Sequence, residues 1–240
     1  MLQSLLELRR RILTVLIFFC ATFVLFFFEA NSLFLVVIKP LQNALLPNTG
    51  LIATQITSTV LTPLTIAANM SFLCTTPLAL IQLWYFVAPG LYYQEKRFFI
   101  LFSGGSLLLF ILGILFCFMI VLPLMFQFFI QALPKGIKLM PDITSSTTFM
   151  TRMLWLFGLA FQVPLVCAML VRLSLVKPQT LKHIRPYVIV SAFILGMLLT
   201  PPDVLSQVML AVPLCVLYEL GIMLSKMTTY GKILRHDHQL

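Results

Sequence analysis

The chain has 240 residues, 60% of them hydrophobic and only 10% charged, with a mean hydropathy of +1.05. A soluble domain carries about 25% charge, so this composition excludes one and places the chain in a bilayer. The net charge of +9 fits anionic headgroups; no basic face interleaved with aromatics lies outside the membrane ends, so nucleic acid is not an expected partner.

Hydrocarbon offers backbone polar groups no partner, so long apolar runs are predicted as helices. Six such runs follow in order: Ile12–Phe28, Pro63–Val87, Phe98–Phe129, Thr148–Leu175, Tyr187–Leu199 and Val204–Ser225. The first has a basic start, but it ends in Phe26-Phe27-Phe28-Glu29 without a small-x-small cleavage site. It reads as a retained helix rather than a signal peptide. Between the first two runs lies a long outer loop, in which Pro40 is expected to end or redirect a short surface helix. Ser103-Gly104-Gly105-Ser106 in the third run predicts close approach of another helix. Crossing takes about 20 apolar residues, and the thirteen-residue fifth run falls short. Either the bilayer thins there or the flanks extend the span; the alternative is a re-entrant hairpin of runs five and six. Thr200-Pro201-Pro202-Asp203 forms the turn between them, with Asp203 placed to cap the last helix. Residues 227–240 read as a short cytoplasmic tail on a single transmembrane domain.

With the N-terminus inside, the inner side carries twelve Lys and Arg and the outer side four, Lys39, Lys135, Lys138 and Arg152. The positive-inside rule then puts both termini in the cytoplasm.

Catalytic chemistry has little to stand on. The five cysteines all fall in apolar runs without a C-x-x-C pair and read as small hydrophobes. His236-x-His238 lacks further ligands for a metal. No nucleophile–base pairing or phosphate-binding glycine loop appears, so neither an enzyme nor a cofactor is expected. Polar groups at membrane depth are few: Gln162, able to bond a neighbouring helix, and Glu219, either functional or paired across helices.

The seven acidic residues draw attention to two of them. Glu7 sits in Leu6-Glu7-Leu8-Arg9-Arg10-Arg11, and Glu95 in Tyr93-Gln94-Glu95-Lys96-Arg97. Each stands among basic residues at an inner membrane end. Such a carboxylate either receives an arginine from another molecule or balances its own neighbours, Arg11 and Lys96.

Five segments in order carry a resemblance. They are Leu5–Arg11, Trp84–Tyr92 with Glu95-Lys96-Arg97, Phe161-Gln162-Val163-Pro164, Arg185-Pro186-Tyr187, and Gly196–Asp203. Together they resemble the TatC family, the core subunit of the twin-arginine protein translocase. The resemblance implies an all-α protein of six transmembrane helices in a concave, glove-like bundle in the bacterial inner membrane. It implies a receptor for the twin-arginine signal peptides of folded cargo, acting in an oligomeric complex with the single-span TatA and TatB subunits and driven by the proton gradient. It assigns signal-peptide recognition to Glu7, Arg9, Phe86, Glu95, Lys96 and Arg97. It gives Pro40, Gln162 and Asp203 structural or partner-related roles. Departures from the family pattern are Ser4 where many members have His, Lys96 for Arg, and Gln162 where many have Glu. The alternative from the residues alone is a secondary transporter of a small solute, with Pro77, Pro123, Pro164 and Pro213 as helix breaks.

Overall fold

The computed structural model describes residues 2–44, 50–54, 57–87, 96–132, 140–173, 175–199 and 204–237. These are almost entirely helical. In chain order they form α1 (Leu2–Phe28), α2 (Ala30–Ala44), α3 (Ser58–Val87), α4 (Lys96–Phe116) and, after a π-turn at Cys117–Val121, α5 (Leu122–Gln131). Then come α6 (Ile143–Ala160), α7 (Val163–Arg172), α8 (Pro178–His183), α9 (Arg185–Leu199) and α10 (Val204–Asp237). Five stretches are long and apolar enough to cross a membrane: Leu6–Phe28, Leu61–Leu83, Phe102–Gln131, Ile143–Arg172 and Ser206–Lys226. The chain is thus an all-α, multi-span membrane protein. The fifth run, α9, has 15 residues, about 22 Å at ~1.5 Å per residue.

Of the four prolines read as helix breaks, Pro123 and Pro164 interrupt the regular helix and Pro77 and Pro213 do not. Pro123 has no N–H to offer, and just before it the Leu122 N–H reaches the Cys117 carbonyl five residues back. The π-turn absorbs the missing bond. Pro164 stands at the first turn of α7, where a missing N–H costs nothing, and Phe161-Gln162 separates α7 from α6. Pro77 and Pro213 lie inside α3 and α10 without interrupting them.

Pro40 behaves differently from the expectation. It lies within α2, which runs on to Ala44. Val37, Ile38, Pro40 and Leu41 are all buried, and packing of this one face holds the helix through the proline. An interior proline costs about 3 kcal/mol, and burying three aliphatic chains at about 1.5–3 kcal/mol each exceeds that.

The contacts divide the chain into two compact units. One comprises Met1–Ser103 and Leu115–Trp155. In it α1 packs along α3, and α2 packs on α3 and α5. Phe126 and Phe129 meet Phe149 at ring-centroid distances of 6.0 and 6.2 Å. The other comprises Gly104–Ile114 and Leu156–Leu240. Here α10 packs on α7, α8 and α9 around Cys167, Val171, Leu181, Tyr218 and Ile222. The Tyr218 hydroxyl donates to the Leu181 carbonyl at 2.7 Å, which satisfies the one polar atom of this cluster.

Glycines set the close crossings of this second unit, the tightest of them outside the predicted run, where a Cβ on Gly105 would make ordinary contact with Leu165 at 3.7 Å. A Cβ on Gly113 would stand 2.6 Å from the Phe157 carbonyl oxygen, and one on Gly158 would stand 2.8 Å from the Phe110 ring. A Cβ on Gly221 would meet the Pro164 Cα at 3.0 Å. Gly104, by contrast, has nothing within 4 Å. The Ser-Gly-Gly-Ser run serves this unit chiefly through Ser106.

Candidate functional site

The N-terminal end of α1 carries the first candidate group. Glu7 and Arg11 are four apart, so both side chains lie on one helix face. Both Arg11 Nε and a terminal nitrogen donate to Glu7 Oε1, at 3.2 and 2.5 Å. The other terminal nitrogen, Nη1, donates to Gln82 Oε1 of α3 at 3.0 Å. The Arg11 guanidinium also lies over the Tyr85 ring, 5.7 Å from its centroid, a favourable cation–π position. Arg11 therefore ties α1 to the end of α3. The Glu7 side chain is 47% exposed, and both Arg11 bonds end on a single carboxylate oxygen. Among the described residues no donor reaches Oε2. The local pairing expected of Glu7 is thus present, and it leaves half the carboxylate open.

Arg9 is exposed on the same helix, two residues and about half a turn from Glu7. Phe86 stands in the last turn of α3, and Lys96 and Arg97 open α4. Glu95 and Asp203 lie outside the described residues. Gln162 is buried, at 5% exposure. Its Oε1 accepts the Ser106 hydroxyl at 2.8 Å, and its Nε2 donates to the Ser106 carbonyl at 2.9 Å. A neutral amide fills both roles at once, donor and acceptor.

Two polar arrangements were not legible as pairs. Arg185, opening α9, donates to Glu219 of α10 at 2.6 Å. Both side chains are nearly half exposed, at 41% and 48%. Glu219 is therefore paired across helices, and with Arg185 rather than the nearer Lys226. The second is a clasp at Asp142. Its Oδ2 accepts the Ser145 N–H and hydroxyl at 2.9 and 3.0 Å. Its Oδ1 accepts the Thr54 N–H and hydroxyl at 3.1 and 2.8 Å. Ile52 completes the clasp by donating its N–H to the Pro141 carbonyl and accepting that of Ile143. The Ser145 N–H foremost, then the Thr54 hydroxyl and N–H, hold the Asp142 carboxyl down at about 2. The Asp-x-x-Ser spacing ahead of an apolar run is a helix-start signal, but nothing in sequence pointed to Thr54 as its second partner.

Among the described residues no group of three or more His, Cys, Asp or Glu is placed to hold a metal. The fold and the site define a polytopic membrane protein whose charged groups, Arg152 and Glu219 apart, stand near the ends of its spans among the described residues. The comparisons with known proteins narrow that class. The profile of the family "Sec-independent protein translocase protein (TatC)" matches residues 3–213. The TatC of Escherichia coli K12 is 36% identical over 226 residues, 94% of this chain and 88% of that protein. The TatC of Aquifex aeolicus is 34% identical, covering 96% of both chains. A crystal structure described as the twin arginine translocase receptor TatC superimposes with a TM-score of 0.85 at 34% identity, over 94% of this chain and 99% of that one.

The chain belongs to the TatC family of Sec-independent protein translocase proteins. It is a multi-pass protein of the bacterial inner membrane and a translocase subunit rather than an enzyme. Family membership over nearly its whole length displaces the small-solute transporter reading.

Proposed function

We propose that this chain is the receptor and core subunit of a twin-arginine translocase, binding signal peptides of folded cargo and exporting that cargo with TatA and TatB, in an oligomeric complex driven by the proton gradient. The observation that carries the reading is the family match along 94% of the chain, together with a half-open carboxylate at the head of the first span. Glu7 and Glu95 hold the two signal arginines. Arginine suits a carboxylate because its planar fork donates two parallel bonds, which lysine cannot. An exposed pair contributes only about 0.2–1 kcal/mol, so one glutamate discriminates weakly and two near a low-dielectric surface discriminate better. Arg9, Phe86, Lys96 and Arg97 complete the recognition surface, with Phe86 contacting the apolar side chain that follows the arginines. Pro40, Gln162 and Asp203 support the frame.

In this reading the chain is a single six-span domain, with α9 as the short fifth span, a glove-like concave shape, both termini cytoplasmic and residues 227–240 as a tail. The shortfall of α9 against ~30 Å of hydrocarbon thins the bilayer beside it. The deciding experiment is binding of a twin-arginine signal peptide, against a Lys-Lys control, to the purified protein and to Glu7→Ala and Glu95→Ala. Selective binding lost in both variants is expected. Unchanged selectivity in Glu95→Ala would remove that residue from the site, and equal binding of both peptides would remove the receptor role.

A further inference from the structure

Within the first unit, α1 and α3 do not close on each other along their whole length. Between them runs a groove of about 390 Å³, within the ~300–1,000 Å³ typical of small-molecule sites. Its walls are Leu8, Ile12, Val15 and Leu16 of α1, facing Ala79 and Leu83 of α3. Thr75 also lines it, but its hydroxyl is turned back to the Ser71 carbonyl at 2.7 Å, which leaves its methyl group for the wall. At the deep end Phe19 and Phe72 close the floor, ring centroids 4.9 Å apart. The mouth is polar: Arg11 and Gln82 bridge it, and Arg9 is exposed about a quarter-turn round α1 from its wall. Glu7–Arg11 carries a net charge of +2.

We infer that this groove is a binding site for one acyl chain of an anionic glycerophospholipid, with the phosphate held by the arginines at its mouth. Length and width decide the occupant. From Leu8 to Phe19 the groove spans about 16 Å, which matches half of the ~30 Å hydrocarbon core, the depth one leaflet's chain reaches. A peptide helix of ~10 Å diameter and the same length fills about 1,300 Å³, more than the ≈ 920 Å³ of atom-free space in and around the groove. An extended peptide would fit by width but would leave its backbone unbonded in hydrocarbon. An acyl chain carries no polar group below its head. The +2 charge at the mouth selects a head with net negative charge over a zwitterionic one.

The chain supplies its own reporter. It has two tryptophans, and the Trp155 ring packs on Phe72 at 5.7 Å, at the groove floor. In the full chain carrying Trp84→Phe, purified in detergent, Trp155 fluorescence is titrated with phosphatidylglycerol or phosphatidylethanolamine brominated on the acyl chain. Quenching by phosphatidylglycerol is expected to saturate at one lipid per protein. Its half-point should lie roughly fivefold lower per contributing arginine than that of phosphatidylethanolamine. Ala79→Phe, which fills the groove, should raise the half-point by about tenfold for every two methylenes excluded. Arg9→Gln, which leaves the groove intact, should narrow the gap between the two lipids. Quenching that never saturates, equal response to both lipids, or an unchanged curve in a folded Ala79→Phe overturns the inference. So does mole-for-mole displacement by a twin-arginine peptide, which would give the groove to the signal. If Ala79→Phe fails to fold, an undiminished lipid preference in Arg9→Gln overturns it instead.

Discussion

Removing either end of the Gln162–Ser106 pair should destabilise the protein unequally, in an order opposite to the size of the group removed. Gln162→Leu deletes a long side chain and both of its bonds. However, it strands little. The Ser106 carbonyl lies inside α4 and is already bonded along its own helix, and the freed hydroxyl can turn back to the carbonyl four residues earlier. The loss is then the net worth of interhelical bonds in a membrane protein, about 0.6 kcal/mol on average and up to ~1.7. Ser106→Ala deletes one oxygen but leaves Gln162 Oε1 buried at 5% residue exposure with its donor gone. A stranded buried acceptor costs about 1–3 kcal/mol. Ser106→Ala should therefore cost more than Gln162→Leu, and in the Gln162→Leu background it should cost under ~0.5 kcal/mol. Equilibrium unfolding of the four proteins in mixed micelles closes the cycle. Additive single effects, or a larger loss for Gln162→Leu, would refute the argument that stranding rather than bond count sets the cost.

Three further outcomes follow from the same structure. Gly113→Ala should lower unfolding stability by about 1–3 kcal/mol, because its methyl meets backbone, the Phe157 carbonyl, at 2.6 Å. Gly158→Ala should cost less, since it meets only the movable end of Phe110, and Gly104→Ala, with open space, should be neutral or stabilising, all read in one unfolding series. The Asp142 carboxyl is held down at about 2 against ~3.9 unfolded. Its stabilising contribution is present above pH ~4 and lost as pH falls through about 2; protection of the Ile52 and Ile143 amides, measured against their intrinsic exchange rates, should fall over that window, and Asp142→Ala should show the low protection at every pH. Arg185→Ala and Glu219→Ala should each cost no more than about 1 kcal/mol, since both side chains are nearly half exposed, and the charge-swapped double variant should recover most of it in the same unfolding assay.

What the sequence disclosed was the part governed by solvent. Five of the six apolar runs reappear as stretches able to cross a membrane, and their ends hold to within a few residues, because hydrocarbon tolerates only helices. What it hid depended on partners distant along the chain. Thr54 and Asp142 are 88 residues apart, and Arg185 and Glu219 are 34 apart; no local pattern announces such pairs. The prolines show the same limit. Pro164 and Pro123 mark breaks and Pro40 does not, since burial of one face of α2 outweighs a local rule. Gln162 was visible as a polar residue at depth, but its partner was not, because Ser106 sat in a run whose glycines suggested packing instead. Of the proposed recognition residues, Glu7 was legible together with its local partner, and the pairing with Arg11 is present.

The π-turn at Cys117–Val121 works as a phase shifter. One extra residue in a turn advances the helix face by about 100°, so the side of the span that is buried before the turn need not be the side buried after it. Met125 and Phe126, at 0% and 5% exposure, owe their inward aim in the first unit to that advance. Deleting a single residue ahead of α5, with the turn kept, would shorten the span by only about 1.5 Å, yet each residue of α5 would take its predecessor's place, moving Met125 to the exposed setting of Leu124 and Gln127 to the buried setting of Phe126. The span's length is forgiving, and its rotational setting is not.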